Sequence, residues 1–283
     1  MVRCQRTKLT HYANALLNFQ TKFPSVSTIL YPSPVFGPVH SRRLGLSLGI
    51  NLMPADGKLC TFDCLYCECG LNTSHRPSQP RPSREEVAEA LEETLRKMAA
   101  AGEQPDVLTF AGNGEPTAHP DFPAIIDDTL RLRDALCPSA RVSVLSNATM
   151  LHRPAVVEAL RRIDNNIQKL DTVDIQYISL VDRPAGAYDV EQVIRQLEAF
   201  EGNVIVQSLF MAGSVGGRSV DNTTDVFVSP WLEALRRIAP REVMVYTIAR
   251  ETPIPTLMKA PREALDAIAQ RVREAGLSVS VSY

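Results

Sequence analysis

From residue 46 to the end of the chain, short apolar runs alternate with longer stretches whose apolar residues recur at helical spacing. The predicted strands cover residues 46–52, 107–111, 142–145, 173–180, 204–210 and 243–248, with a last strand at 277–282. The predicted helices begin at residue 83 and near residues 122, 153, 188, 230 and 261. Such alternation favours a parallel sheet with right-handed crossovers. Six strand–helix units predict an α/β fold, a partial (β/α)6 TIM-like barrel, and a doubly wound sheet is the alternative.

The composition restricts the function classes open to this chain. The sequence has 283 residues, 45% of them apolar, and a formal net charge of −2. This balance argues against a generally basic nucleic-acid binder. No apolar run approaches the roughly 18 residues of a membrane span. The six cysteines are not spaced as a secreted disulfide framework, so we expect a cytoplasmic protein with reduced thiols and no membrane partner.

The first part of the chain differs in charge from the rest. No Asp or Glu precedes Asp56, although several Arg and Lys residues do. We interpret residues 1–27 as a weakly ordered N-terminal extension and residues 28–283 as the folded domain. Residues 28–40 mix apolar residues with prolines, which is typical of an edge strand or an extended arm.

Three cysteines, Cys60, Cys64 and Cys67, follow the first predicted strand within a few residues of one another. Thiolates at this spacing converge on one inorganic centre if the chain bends into a loop. A structural zinc site needs four ligands, usually from two separated pairs, and Cys69 would have to supply the fourth from a cramped position. A cubane iron–sulfur cluster held by three thiolates instead leaves one iron free to bind a cofactor or substrate. The spacing alone leaves both interpretations open.

Polar residues follow several predicted strands, and the carboxyl ends of parallel strands are where functional side chains gather. One group is the turn of Gly112, Asn113, Gly114 and Glu115, in which the glycines allow close backbone approach and Glu115 supplies a carboxylate. The other candidates at predicted strand ends are Ser146, Asn147, Ser179, Asp182 and Gln207. For Ser146 and Asn147 a helix-capping role is the alternative, and for Asp182 it is capping or pairing with Arg183.

The Cys-x3-Cys-x2-Cys loop, with Tyr66 before its last cysteine, resembles the signature of the radical S-adenosylmethionine (radical SAM) superfamily. The resemblance implies a [4Fe–4S] cluster on Cys60, Cys64 and Cys67, whose free iron binds S-adenosylmethionine. It also implies a partial TIM-like barrel, contact of Tyr66 with the adenine, and contact of Glu115 with the ammonium of the methionine moiety. Asn113 stands where the family's Gly-Gly-Glu segment has its first glycine. The other strand-end candidates would then contact the rest of the cofactor or the substrate.

Further motifs extend the resemblance over roughly residues 30–283. They lie at residues 37–45, 112–117, 145–147 and 246–253, and together they resemble a group of radical SAM proteins related to the wyosine-base tRNA-modifying enzymes. Those enzymes carry further N-terminal cysteines, whereas this sequence has only Cys4 before Cys60. The implied function is reductive cleavage of S-adenosylmethionine to a 5′-deoxyadenosyl radical that abstracts hydrogen from an unidentified substrate. The implied partner is an external one-electron reductant, flavodoxin-like or ferredoxin-like.

Two hypotheses from other classes stay open. The first is a non-catalytic module that binds zinc or an iron–sulfur cluster, with Cys69 as the fourth ligand. The second is a barrel-like RNA-binding protein with a structural cluster, although the net charge does not indicate a nucleic-acid partner.

Overall fold

The computed structural model describes residues 28–41 and 44–283 of the chain. The predicted N-terminal extension, residues 1–27, lies outside the described residues, as do Arg42 and Arg43. In the part of the chain that is described, no helix combines the length and the apolarity needed to cross a membrane.

The strands form one large sheet and one small sheet. In chain order they are β1 (Val35–Ser41), β2 (Gly45–Ile50), β3 (Val107–Phe110), β4 (Arg141–Ser146), β5 (Asn165–Lys169), β6 (Ile205–Leu209), β7 (Met211–Val215), β8 (Arg218–Ser219), β9 (Glu242–Tyr246), β10 (Leu257–Lys259) and β11 (Val279–Ser282). The large sheet has eight strands in the order β1-β2-β3-β4-β5-β6-β9-β11. β1 is antiparallel to β2, and the other pairs are parallel. The strands follow one another in chain order across the sheet, without the reversal of order that a doubly wound sheet has, and β1 and β11 lie at opposite edges. The curled sheet is therefore an open partial barrel, which confirms the predicted fold class.

Amphipathic helices cover the outer face of this sheet. They are α1 (Arg84–Ala100), α2 (Phe122–Leu136), α3 (Pro154–Arg161), α4 (Val190–Glu198), α5 (Asp225–Ile238) and α6 (Arg262–Glu274). α1 begins at a capping box, in which the Ser83 hydroxyl accepts from the Glu86 N–H (3.2 Å) and the Glu86 carboxylate accepts from the Ser83 N–H (2.6 Å). Its apolar stripe packs into the main core through Val87, Leu91, Leu95 and Met98.

The prediction of a strand at residues 173–180 is wrong. The strand is β5, and all its residues except Ile167 are polar. The predicted segment is instead a helical turn, α-helical over Ile175–Tyr177 and π-helical over Ile178–Asp182. β5 nevertheless lies buried in the sheet. Asn165 donates to the Ser143 hydroxyl (2.9 Å) and Gln168 donates to Asn166 Oδ1 (2.6 Å), whereas Asn166 Nδ2 and Gln168 Oε1 have no hydrogen-bond partner among the described residues. Tertiary context therefore overrides local strand propensity here.

The glycine-rich segment around residues 213–217 is part of the small sheet. β7 pairs antiparallel with both β8 and β10, and Gly216 and Gly217 form the turn between β7 and β8 with positive φ. Buried side chains of this sheet join a second apolar cluster that also contains Leu65, from between the predicted ligands Cys64 and Cys67. The small sheet thus helps to hold the three cysteines at one end of the barrel.

On the inner face of the curled sheet, apolar residues come first along the strands, and polar residues lie near the carboxyl ends of the strands. Ile167, Ile205 and Met244 form a separate buried cluster across β5, β6 and β9. Two residues further along β5 and β6, on the same face, come Lys169 and Gln207, which are partners in the register. Polar groups are therefore positioned at the end of the sheet where the three cysteines lie.

Candidate active site at the carboxyl ends of the strands

The loop that carries the three cysteines, residues 58–70 (the cysteine loop), is held on two sides by backbone hydrogen bonds. On one side the Leu59 N–H donates to the Asn113 carbonyl (2.8 Å). On the other side the Leu65 N–H donates to the Val181 carbonyl (2.9 Å). The cysteine loop is therefore fixed between the turn after β3 and the helical turn after β5.

All three predicted ligands, Cys60, Cys64 and Cys67, are free thiols. Cys64 is buried, and Cys60 and Cys67 are half-buried. Among the residues that the structure describes, no three His, Cys, Asp or Glu side chains are grouped so that they could hold a metal ion. A mononuclear zinc site needs four converging ligands. A cubane cluster needs one thiolate for each iron that it binds to the protein, so three cysteines suffice for it. Cys69 is buried, and its thiol donates to the Gly112 carbonyl (3.3 Å).

Asn113 ties the turn after β3 to the segment that precedes β1. Its amide group donates to the carbonyls of Tyr31 (2.8 Å) and Pro54 (2.9 Å), and its amide oxygen accepts from the Tyr31 N–H (2.8 Å). Its backbone N–H donates to Asn51 Oδ1 (3.2 Å), and its carbonyl accepts from Leu59. The side-chain and backbone polar groups of Asn113 therefore all help to position the turn. Cofactor binding by this residue stays a prediction.

Glu115 joins the ends of β3 and β4. It is 2% exposed, and its two carboxylate oxygens accept from the Asn147 N–H (2.7 Å) and the Thr117 N–H (3.0 Å). Burial raises the pKa of Glu115, although these hydrogen bonds oppose the increase. A cation that binds nearby would stabilise this buried negative charge.

Ser146 and Asn147 lie where β4 ends. The side-chain oxygen of each accepts an N–H from the residue two positions further along, as in a tight turn. The alternative interpretation, in which they cap the next helix, is wrong, since α3 begins only at Pro154. The Asn147 amide instead donates to Thr61 Oγ1 (2.8 Å) and lies 3.7 Å from Cys60 Sγ. Asn147 therefore contacts the cysteine loop directly.

Lys169, Asp171 and Asp182 form a buried charge cluster beside Tyr66. The Lys169 ammonium pairs with both carboxylates, at 2.9 Å from Asp182 Oδ1. The Tyr66 hydroxyl donates to Asp171 Oδ2 (2.5 Å), and the Lys169 ammonium lies 5.1 Å from the centroid of the Tyr66 ring. Each of the three charged residues is less than a tenth exposed. Two carboxylates against one ammonium leave an excess negative charge at the end of the sheet.

The pKa values in the buried charge cluster follow from this imbalance. Burial raises the pKa of Asp182 to about 6, Lys169 opposes the increase and Asp171 adds to it. Burial by itself would lower the pKa of Lys169, but the two carboxylates raise it well above its ordinary value. Sequence analysis missed Lys169 and Asp171 because it placed the fourth strand too late. The segment Asn165–Lys169 follows the helix predicted near residue 153, where the alternation of helices and strands requires a strand. Accepting a polar strand at this place would have identified both residues.

Two predicted site residues, Gln207 and Ser179, have different surroundings. Gln207 is buried on the inner face of β6, next to Lys169 in the register. Ser179 is exposed, and its hydroxyl donates to the Ile175 carbonyl (2.7 Å) within the helical turn. The structure therefore brings Gln207 to the buried charge cluster and leaves Ser179 on the surface.

Gly114 allows the cysteine loop to approach the turn after β3. Its φ is +153°, and a Cβ at this position would lie 1.9 Å from the Leu59 carbonyl oxygen.

We expect Gly114→Ala to displace the cysteine loop and to lower the free energy of unfolding by roughly 1–3 kcal/mol, the usual cost of a strained backbone site. Urea unfolding and amide exchange at Leu59 measure the change. The matched control is Gly186→Ala, where an added Cβ meets no atom within 4 Å, and equal losses in the two variants would contradict this explanation.

The part of the sequence that forms the site matches a known protein family. The family model described as "Radical SAM superfamily" matches residues 56–222, which include the cysteine loop, Glu115 and the buried charge cluster. A "UPF0026 protein" of Helicobacter pylori strain J99 is 30% identical over 239 residues, which are 82% of this chain and 70% of that protein. Another, from Helicobacter pylori strain 26695, is 30% identical over 186 residues, and the matched region is 64% of this chain and 58% of that protein. "UPF0026 protein MJ1312" of Methanocaldococcus jannaschii is 28% identical over 232 residues, 80% of this chain and 67% of that protein.

Solved structures show the same fold. A radical SAM methyltransferase from Sphaerobacter thermophilus superposes with a TM-score of 0.62 at 14% identity and covers 84% of this chain and 66% of its own. Streptococcus suis SuiB bound to S-adenosylmethionine superposes with a TM-score of 0.57 at 16% identity and covers 83% of this chain and 50% of its own. At these identities the likeness shows that the open partial barrel is shared.

Proposed function

The chain belongs to the Radical SAM superfamily of enzymes and to the UPF0026 proteins, and on this premise we propose that Cys60, Cys64 and Cys67 hold a [4Fe–4S] cluster that binds S-adenosylmethionine. When bound, these groups supply the reductive cleavage of S-adenosylmethionine to methionine and a 5′-deoxyadenosyl radical, which abstracts hydrogen from a substrate. The proposed activity is therefore radical SAM chemistry on a substrate that is not identified.

The position of the cysteine loop carries this proposal. Its Asp63 N–H donates to the Asp182 carbonyl (3.0 Å), and its Cys60 Sγ lies 3.7 Å from the amide of Asn147. Asn147 in turn donates its N–H to Glu115. Three free thiols, a buried carboxylate and a buried charge cluster thus meet at the carboxyl ends of the strands, where parallel α/β sheets bind their ligands.

Tyr66 and Glu115 have the most specific proposed roles. We assign contact with the adenine to Tyr66, whose hydroxyl is held by Asp171 (2.5 Å) so that the ring orientation is set before binding. We assign the ammonium of the methionine moiety to Glu115, because a cation offsets the cost of the buried carboxylate. Gly112 and Gly114 both have positive φ and lie close to Asn51 and Leu59, and we propose that their backbone also contacts the cofactor.

The remaining strand-end residues are proposed to contact other parts of the cofactor or the substrate. Asn147 and Asp182 have geometric support, since Asn147 contacts the cysteine loop and Asp182 lies 3.3 Å from the Tyr66 hydroxyl. Gln207 and Ser146 are buried at the same end of the sheet. The exposed Ser179 has the least support.

The finer parts of the proposal concern relatives and partners. The motifs of the sequence support kinship with the radical SAM group related to the wyosine-base tRNA-modifying enzymes, while the relatives named above are UPF0026 proteins. An external one-electron reductant, flavodoxin-like or ferredoxin-like, would supply the electron. We propose a cytoplasmic location because the three cysteines must stay reduced to bind iron.

Anaerobic reconstitution of the full chain with iron and sulfide tests the proposed function. We expect bound iron and sulfide without zinc, and release of 5′-deoxyadenosine when dithionite and S-adenosylmethionine are added. Protein that binds zinc and no sulfide would overturn the proposal in favour of a non-catalytic module. Salt-dependent RNA binding by a cluster-containing protein that releases no 5′-deoxyadenosine would overturn it in favour of an RNA-binding protein.

A further inference from the structure

Lys58 is a buried cation at the start of the cysteine loop. Its side chain is 1% exposed, and its ammonium lies 3.7 Å from Asp63 Oδ1. The ammonium also donates to the Gly70 carbonyl (2.7 Å), and the Lys58 N–H donates to the His75 carbonyl. These contacts hold the ammonium inside the loop, between its first and last residues.

Asp63 only partly compensates the charge of Lys58. The same carboxylate pairs with Arg183 at 3.4 Å and accepts the Asn72 N–H (2.7 Å). The Asp63 carboxylate is therefore shared between two cations, Lys58 and Arg183. It lies farther from the Lys58 ammonium (3.7 Å) than from the Arg183 guanidinium (3.4 Å). An ammonium without a full counter-charge is costly to bury. This imbalance indicates that a further negative group belongs inside the loop.

Cys60, Cys64 and Cys67 lie in the same loop as this ammonium, because Lys58 and Gly70 are joined by its hydrogen bond and Asp63 directly precedes Cys64. As thiolates on the proposed cluster, the three cysteines supply negative charge inside the loop that encloses Lys58.

We infer that Lys58 is a positioning residue whose fixed positive charge raises the reduction potential of the cluster held by Cys60, Cys64 and Cys67. This inference rests on the proposed function. Reduction adds one negative charge to a cluster, and cluster potentials respond to nearby charge, hydrogen bonds and solvent exposure. A buried cation stabilises the more negative, reduced state more than the oxidised state. Lys58 therefore makes electron transfer from the external reductant more favourable.

A redox titration of the reconstituted protein, followed by electron paramagnetic resonance, tests this inference. At a fixed potential we expect Lys58→Met to lower the ratio of reduced to oxidised cluster about tenfold, which is about 59 mV for a one-electron couple. Asp63→Asn removes a negative charge from the same place and should shift the midpoint potential in the opposite direction. The matched control is Lys97→Met, because the Lys97 side chain on α1 is 72% exposed and should leave the midpoint unchanged.

Opposite shifts in Lys58→Met and Asp63→Asn would support a charge effect, which a merely structural role would not produce. Unchanged midpoints in both variants, with a cluster present, would overturn the inference and leave the proposed function intact. If Lys58→Met assembles no cluster, Asp63→Asn decides: a positive shift supports the inference, and no shift overturns it. A wild-type chain that assembles no cluster would overturn the proposed function and the role of Lys58 with it.

Discussion

Cys64→Ala is expected to abolish S-adenosylmethionine cleavage by the reconstituted protein. Cys64 is 9% exposed, and the loop on either side of it is fixed by backbone hydrogen bonds from Asp63 and Leu65. The variant keeps two of the three proposed thiolates, too few for a cluster that leaves one iron open. We expect most of the bound iron to be lost and 5′-deoxyadenosine to fall to the level of a protein-free control. Iron analysis and chromatography of the products measure both effects.

Two other cysteines provide matched controls for the loss of one thiol. Cys69 lies in the same loop, and its thiol donates to the Gly112 carbonyl (3.3 Å). Cys137 is 1% exposed and belongs to the main apolar core. We expect Cys69→Ala and Cys137→Ala to keep the bound iron and the cleavage activity. Loss of iron from Cys69→Ala but not from Cys64→Ala would show that the ligand assignment is wrong.

Lys169→Met is expected to lower the free energy of unfolding by about 3–5 kcal/mol at neutral pH, the usual cost of removing one partner from a buried ion pair. The change leaves Asp171 and Asp182 buried without their cation, and the Tyr66 hydroxyl cannot replace the lost charge. Urea unfolding of the variant and the wild type, followed by circular dichroism, measures the difference.

The destabilisation by Lys169→Met should shrink as the pH falls. Without Lys169, burial and repulsion by the Asp171 carboxylate hold the pKa of Asp182 above the unfolded value of about 3.9. A carboxyl whose pKa is raised in the folded state contributes stability below its unfolded pKa, and this contribution is lost as the pH rises through its folded pKa. That folded pKa is already about 6 for Asp182 in the wild type. The loss should therefore be smaller at about pH 5 than at about pH 7.

The control for Lys169→Met is Lys97→Met on the exposed face of α1. Lys97 pairs with Glu93 at 2.6 Å, but both side chains are about two-thirds exposed or more. Such surface pairs contribute roughly 0–1 kcal/mol, so we expect a small loss. A large loss in Lys169→Met that did not change with pH would contradict the explanation by uncompensated carboxylates.

Sequence reasoning succeeded where the signal is local. Cys60, Cys64 and Cys67 were expected in one loop after the first strand and lie in such a loop, while their role as ligands stays a prediction. Gly112 and Gly114 were expected to allow close approach, and the groups close to them are Asn51 and Leu59. The start of a helix at residue 83 and its apolar spacing were likewise predictable, because helix ends and helix faces depend on residues three or four positions apart. The alternation of short apolar runs with helical segments predicted the parallel sheet, because this order is also visible along the chain.

The sequence by itself determined the cysteine loop, the glycine–glutamate turn and the order of most strands and helices, because each depends on residues that are neighbours along the chain. Only the tertiary structure decided that the polar segment Asn165–Lys169 is a strand. It also decided that Lys169 stands between Asp171 and Asp182, and that Lys58 shares Asp63 with Arg183. The physical reason is that a charged or polar residue is stable in the interior only beside its partners. Those partners, brought together by the fold, leave no periodic pattern in the sequence.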